Sequence, residues 1–365
     1  MSGTNQNMWR SLAISFRIEL AFHAANNEGA GGTNVMEPRR ITVGDKEYDG
    51  ISGEIIRRHI LENFVKLCQQ NNVPLHDRCK GLVPDRGKEP LRIWIQNNTS
   101  IQPIQRGNQQ QIYLKPENYP AATKELIEEC ALCDIGGYLI AYEARVDKVE
   151  RNGSSYPLNG VLKRDSCFEV GWLISEHPAI VNFTQHSAYD PDPERHNLFV
   201  QNMRVGIYGG VLRIDLDRIG RNDWWWLDPN FKEYPLEDGE RLKRACLLIE
   251  AIEQWLLSPT FAKQTGWLQH QSGLLEGSIV LSKNGAAPFV SPIKFEVENG
   301  NPVIKKNNYR SILNTIVPEN TEKAKSEETF KNENYKKYDF SKPGELIEKI
   351  YKVLEELKCQ EEKQQ

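Results

Sequence analysis

Residues 12–22 alternate without a break. Leu12, Ile14, Phe16, Ile18, Leu20 and Phe22 fall on one side of an extended chain, and Ala13, Ser15, Arg17, Glu19 and Ala21 fall on the other. Strand side chains repeat every two residues, so this pattern predicts a half-buried β-strand and excludes a helix here. Two stretches with the helical repeat come later. Ile56, Ile60, Phe64 and Leu67 make a stripe over 53–68, with Ser52 as N-cap; Leu242, Ala245, Cys246, Ile249, Ile252 and Leu256 make another over 239–257. Further strands are read at 138–149, 205–216 and 293–297. The order strand, helix, strand, strand, helix, strand predicts an α+β fold with an RRM-like (ferredoxin-like) palm.

Two insertions enlarge that unit. Residues 71–135 are irregular, broken by Pro74, Pro84, Pro90 and Pro103 and by a Gln/Asn-rich run, and 182–202 are polar with Pro191 and Pro193. The core is thus expected to span 1–318. Residues 319–342 are charged and poor in apolar side chains, which predicts a flexible linker. Within 343–365, Leu346, Ile347, Ile350, Leu354 and Leu357 recur at helical spacing and predict an amphipathic tail helix.

Composition removes several function classes. In 365 residues no apolar run approaches the roughly 20 that span a bilayer, and the first residues lack a signal pattern, so a cytoplasmic protein without a membrane partner is expected. The net charge of −4 means that any nucleic-acid binding must rest on local basic surface. Seven cysteines, an odd number, predict free thiols rather than a disulfide framework. Four ligands stand in two short knuckles, His76-x-x-Cys79 and Cys130-x-x-Cys133, the spacing and chemistry of a structural zinc site. No organic cofactor is expected.

Catalytic motifs are missing: neither G-x-S-x-G nor H-E-x-x-H occurs, and the glycine-rich loop from Asn26 to Asn34 is not a P-loop. Its asparagines and free N–H groups suit a nucleic-acid backbone instead. Ser52 and Gly53 open a helix whose N-terminus attracts anions, and Arg57, Arg58 and His59 follow within two turns. The polar face of the first strand offers no aromatics for base stacking, so loops and helix ends are the expected RNA contacts. In Gln201-Asn202-Met203-Arg204, a basic approach leads to Gly206 and Gly209, where a missing side chain lets another backbone come close. The run Trp224-Trp225-Trp226 reads as packing or subunit contact ahead of a stacking platform.

Taken in order, Asn27-Glu28-Gly29-Ala30-Gly31-Gly32-Thr33-Asn34, Ile51-Ser52-Gly53, Cys133-Asp134-Ile135-Gly136-Gly137-Tyr138-Leu139, Gly206-Ile207-Tyr208-Gly209 and Asp215-Leu216-Asp217-Arg218-Ile219-Gly220 resemble the backbone subunit of type I CRISPR Cascade complexes, the Cas-seven superfamily in its DevR/Csa-type branch. The resemblance covers roughly residues 10–300. It implies a hand-shaped fold with fingers at 71–135 and a thumb at 182–202. It further implies that copies polymerise along CRISPR RNA beside other Cascade subunits and present it to a target DNA strand. The RNA path would be lined by Asn26, Asn34, Ser52, Gly53, Arg57, Arg58, His59, Gln201, Asn202, Met203, Arg204 and Lys263. Such a subunit is non-catalytic. The alternative is a type III-like relative that cuts target RNA with an aspartate after the first strand, where this chain has Glu28.

Overall fold

The structure, a computed structural model, describes residues 8–24, 27–29, 35–83, 86–188, 197–260, 273–317 and 333–359, with backbone alone for 22, 27–29, 35–38, 181–188 and 197–202. The elements run β1 (Ser11–His23), β2 (Asn27–Gly29), β3 (Val35–Pro38), β4 (Arg40–Val43), β5 (Lys46–Ile51), α1 (Gly53–Gln70), α2 (Asp77–Lys80) and α3 (Lys88–Asn97). Then come β6 (Ile104–Arg106), β7 (Gln109–Leu114), α4 (Tyr119–Glu129), α5 (Ala131–Gly136), β8 (Tyr138–Tyr142), β9 (Lys148–Arg151), β10 (Ser154–Arg164), β11 (Phe168–Val170) and β12 (Leu173–Pro178). The remainder is β13 (Ile180–Ala188), β14 (Asn197–Asp215), α6 (Asp238–Leu257), β15 (Leu275–Ser282), β16 (Ile293–Glu298), β17 (Asn301–Lys306), α7 (Tyr309–Ile316), β18 (Tyr335–Phe340) and α8 (Pro343–Glu356). The chain divides into two compact units: unit 1 takes Met1–Ile60, Glu169–Asp215 and Glu250–Lys358, and unit 2 takes Leu61–Phe168, Leu216–Ile249 and Cys359–Gln365.

Unit 1 is built on a sheet of order β18-β15-β1-β14-β12-β5-β4. The predicted β1 lies inside it, antiparallel to both neighbours. Leu12, Ile14 and Ile18 stand opposite Ile214, Leu212 and Tyr208 on β14, and opposite Leu281, Ile279 and Leu275 on β15. Because the side-chain period is two, a one-residue slip would turn this whole apolar set over, and the register is fixed by it.

The expectation of a half-buried strand needs correction, because the polar face is covered too. Ala13 and Val280 pack with Tyr309, Leu313 and Val317 from α7 and its end. Arg17, 5 % exposed, is held by Glu176 on β12 (2.8 and 2.9 Å) and by Glu276 on β15 (2.6 Å). The charge that made this face look solvated is neutralised within the sheet.

Two strand assignments also change. The segment at 138 is a strand, β8, but it belongs to unit 2; the central sheet takes Leu173–Pro178 instead. The last central strand is β15 rather than 293–297. Seven of the eight residues of β15 are buried, so its sequence shows no alternation, whereas β16 is largely exposed in a separate hairpin with β17 and alternates visibly. The glycines of β14 make room for side chains, not for another backbone. A Cβ on Gly209 would lie 2.7 Å from Ile293 Cγ2, and one on Gly210 would lie 2.8 Å from Leu173 Cδ1.

Part of the predicted linker is folded. Tyr335–Phe340 pairs antiparallel with β15 as an end strand of the central sheet, and α8 buries Leu346, Ile350 and Val353. The expectation of free thiols fails at one pair: Cys246 on α6 and Cys359, three residues past α8, form a disulfide, while the other five cysteines are free.

Unit 2 holds a five-stranded sheet, β6-β7-β10-β8 with β9 beside β10, together with α2 to α5. Its core includes Leu91, Ile95, Ile112, Leu114, Leu126, Ile127, Ile140, Leu158 and Leu162. Residues 71–135 fall within unit 2, which also takes in 61–70, 136–168 and 216–249.

Candidate nucleic-acid interface and metal centre

In unit 1 two of the predicted RNA segments come together. The glycine-rich region contributes β2 and β3, which pair with each other (Asn27↔Pro38, Glu28↔Glu37), and β3 runs parallel to β14 at Val200↔Val35 and Gln201↔Met36. On its other side this part of β14 pairs antiparallel with β13 from Ile180↔Val205 to Ala188↔Asn197. Gln201 and Asn202 lie on it, opposite Thr184 and Phe183. Asn26, Asn34 and Lys263 lie outside the described residues, as does the side chain of Glu28.

Five expected contacts are withdrawn from the surface. Ser52 and His59 are each 4 % exposed, and Gly53 sits so close to Val170 that a Cβ there would be 1.9 Å from its carbonyl oxygen. The N-terminus of α1 is covered, so its N–H groups do not face a ligand. Met203 is buried, and Arg204 is fully buried, its Nη1 donating to Asp49 Oδ1 at 2.6 Å. Tyr208 Oη donates to Asp49 Oδ2 at 2.5 Å, His23 Nε2 meets Tyr208 Oη at 2.8 Å, and the Asp49 N–H donates to Ser175 Oγ at 2.9 Å. Burial, followed by the charge of Arg204, holds the His23 pKa well below its ordinary value. The signal read as a phosphate contact is therefore an internal ion pair joining β5 to β14. What stays outside is Arg58, exposed, and Arg57, half-buried with Glu54 at 3.4 Å.

In unit 2 the two knuckles meet. His76, Cys79, Cys130 and Cys133 bring one ligand atom each to within 4.8 Å of one another, a set that could hold a metal ion. Cys133 Sγ lies 3.7 Å from Cys79 Sγ and 3.6 Å from His76 Nδ1. Local structure explains the approach. The Cys79 N–H donates to His76 O at 2.9 Å in the turn that opens α2, and the Cys133 N–H points at Cys130 Sγ at 3.5 Å across the start of α5. The Ala131 N–H donates to Pro74 O, closing one knuckle on the other. Burial alone would disfavour a thiolate at Cys130, but hydrogen bonds from Cys133, Cys79 and His76 outweigh it and bring its pKa well down. Metal ligation needs such a deprotonated sulfur.

Directly after Cys133 stands a residue whose role the sequence did not disclose. The Asp134 side chain is inaccessible and accepts from Arg164 Nη2 (2.6 Å), Arg244 Nη1 (3.1 Å) and the Gly220 N–H (3.0 Å to each oxygen). The motifs Asp134-Ile135-Gly136-Gly137 and Asp217-Arg218-Ile219-Gly220 are thus two halves of one junction. Gly137, at φ 65°, passes so near Arg164 O that a Cβ would be 2.4 Å away. The tryptophan run is mixed: Trp224 packs edge-on against Tyr119 at 5.1 Å, while Trp226 is 62 % exposed. None of the described helices is long and apolar enough to cross a membrane.

No curated protein matches the sequence significantly. Among solved structures, the chain is similar to one titled "CRISPR RNA-guided surveillance complex, pre-nicking", with a TM-score of 0.35 at 11 % identity over 73 % of this chain and 78 % of that one. It is similar to another titled "CRISPR RNA-guided surveillance complex", with a TM-score of 0.39 at 11 % identity over 94 % and 99 %. Residues 14–304 match the family described as the CRISPR-associated negative auto-regulator DevR/Csa2, and the chain belongs to that family.

Proposed function

We propose that the protein is a non-catalytic, CRISPR-RNA-binding backbone subunit of a type I Cascade-like complex in the cytoplasm. The observation that carries this is the family match across residues 14–304. The order β15-β1-β14-β12, with α1 and α6 in the two crossings, supports a ferredoxin-like palm, and the antiparallel pairing of β13 with β14 supports reading 182–202 as the thumb. The central strands β1 and β15 are buried on both faces, and we assign RNA to the β2–β3 region, the β13–β14 pair and the outer side of α1. Copies polymerise along the guide with other subunits, and the target DNA strand is read by base pairing while protein holds backbone and shape.

Expression with a CRISPR array and the neighbouring subunits, followed by sequencing of the bound nucleic acid, tests this. Guide-length RNA in a large assembly supports it; a nucleic-acid-free monomer overturns it. Arg57→Ala and Arg58→Ala should weaken binding of every sequence alike, each lowering the salt slope by about 0.7 for a single strand. Metal-dependent cutting of complementary RNA at regular spacing would overturn the non-catalytic part.

The ligand set His76, Cys79, Cys130 and Cys133 fits a structural Zn²⁺, whose tetrahedral sites are closed by four sulfurs and imidazoles in all. Its place is to join α2 to α5 across unit 2. Metal analysis should find about one zinc per chain, and Cys130→Ser should lose it. Protein that retains no metal after purification in zinc-supplemented buffer would rule this out.

A further inference from the structure

We propose that the open face of the unit 2 sheet is a second binding surface, for single-stranded nucleic acid, separate from the surfaces assigned to the guide in unit 1. Two alternating strands make this face. On β10, Leu158, Leu162 and Arg164 turn into the unit and are buried, while Val161 and Lys163 turn out and are exposed. On β8, Tyr138, Ile140 and Tyr142 are buried, and Leu139 and Ala141 are exposed. The register brings the outward residues together: Val161 stands opposite Ala141, Lys163 opposite Leu139, and Asn159 opposite Tyr113 on β7. Leu139 is 74 % exposed, so no described element covers the face there.

The face joins aromatic rings to cations, the combination that holds a single strand. The Arg106 guanidinium on β6 stands over the Tyr113 ring, 5.6 Å from its centroid. Tyr113 is half-buried, which leaves part of its ring open to a base. Aromatic side chains continue from there. Burial and then the nearby Tyr113 raise the pKa of Tyr119, which packs edge-on against Trp224, and Trp224 lies 6.4 Å from the exposed Trp226. Arg106 and Lys163 are exposed, and neither forms an ion pair among the described residues. The turn between β6 and β7 adds the exposed amides of Asn108, Gln109 and Gln110, which can both donate to and accept from base edges and sugar oxygens.

A folded protein fits this face less well. The centres of protein–protein interfaces are depleted in lysine, and here Lys163 stands on β10, between β7 and β8. A duplex fits less well too, because its bases are stacked on one another and have no free face to offer. A single strand can lay its phosphates against Arg106 and Lys163 and an unstacked base on Tyr113, with Val161 and Leu139 as apolar floor beside it. Four-stranded sheets that carry aromatic side chains on an open face bind RNA in this manner. Contacts of these two kinds, ring to base and cation to phosphate, tolerate any sequence.

The test uses the full chain and a fluorescent oligo(dT), with binding followed by anisotropy across a salt series. Tyr113→Ala should weaken binding about tenfold, and Tyr113→Phe, which keeps the ring, should restore most of it. Lys163→Glu, at an exposed position, should weaken binding and flatten its salt dependence. Oligo(dT) carrying 4-thiothymidine should photo-crosslink to peptides from 106–115 and 159–163. Crosslinks confined to unit 1 peptides, or native affinity in both Tyr113→Ala and Lys163→Glu, would overturn the proposal. So would self-association that Lys163→Glu abolishes while oligo(dT) binding stays native, since the face would then be a contact between copies. Guide RNA recovered from cells reports on the unit 1 surface, so the two readings fail separately.

Discussion

The central sheet of unit 1 and the α5 junction of unit 2 both bury ionised side chains, and they depend on them to different degrees. In unit 1, Arg17 with Glu176 and Arg204 with Asp49 sit between strands whose register is already set by Leu12, Ile14 and Ile18 against β14 and β15. In unit 2, one carboxylate serves two guanidiniums and a backbone N–H, and so ties together three segments that are far apart in the chain. A buried pair contributes little net stability when it replaces good apolar packing, but removing one partner strands the other charge. The comparison therefore predicts that unit 2 is the more sensitive to a single polar deletion and unit 1 to a single apolar one.

The largest effect is expected from Asp134→Ala. Arg164 and Arg244 would be left buried without their shared carboxylate, and the Gly220 N–H without an acceptor, at a cost of about 3–5 kcal/mol. Amide exchange read segment by segment should rise first in α5, β10 and the turn at 217–220. A loss below about 1 kcal/mol would mean the junction is held by its apolar neighbours after all. In unit 1 the matching deletion is Ile14→Ala, a fully buried truncation opposite Leu212 and Ile279, expected to cost about 2–5 kcal/mol in urea unfolding. If Arg17→Met combined with Glu176→Gln and Glu276→Gln, which strands no charge, cost as much as Ile14→Ala, the contrast between the units would fail.

These two substitutions also mark what the sequence discloses. Ile14 was legible because an alternating strand leaves a local trace. So were the helices α1 and α6, and the ligand pairs around His76 and Cys130, whose spacing is set within one turn of chain. The Asp134 junction left no such trace: its partners stand at 164, 220 and 244, and only the tertiary fold brings them together. The same holds for α7, whose cover over Ala13 made a polar face part of the interior. Arg204 misled for a related reason, since a lone arginine near glycines looks the same whether a phosphate or Asp49 awaits it. The strand β15 was missed because burial on both faces erases the period on which strand recognition rests.

A smaller effect sharpens the reading of β14. Gly209→Ala would place a methyl 2.7 Å from Ile293 Cγ2 at a backbone angle any residue adopts, so the strain is steric alone and about 1–3 kcal/mol. Ile293→Ala should recover most of it, and the double-mutant cycle should show coupling between the two sites. Additive losses would mean that Gly209 is required for something other than the room it gives Ile293.

The smallest effect is pH-dependent and belongs to unit 1. His23 is enclosed beside Arg204, and burial with that positive charge keeps its folded pKa well below its value in the unfolded chain, about 6.5. The folded state therefore binds fewer protons than the unfolded state once the pH drops below that value. The stability that His23 allows is fully present above about pH 6.5 and is lost as the pH falls toward its folded pKa. Melting measured from pH 7.5 to 5 should show this decline in the native chain and a flatter profile in His23→Gln, whose amide can still meet Tyr208 Oη without titrating. Equal slopes in the two proteins would shift the acid sensitivity to the carboxylates. Glu276 would not be among them: burial opposes its charge but Arg17 outweighs that cost and lowers its pKa, so its contribution is fully present above the ordinary carboxylate pKa and is lost only as the pH falls from there toward the folded value, below the range scanned.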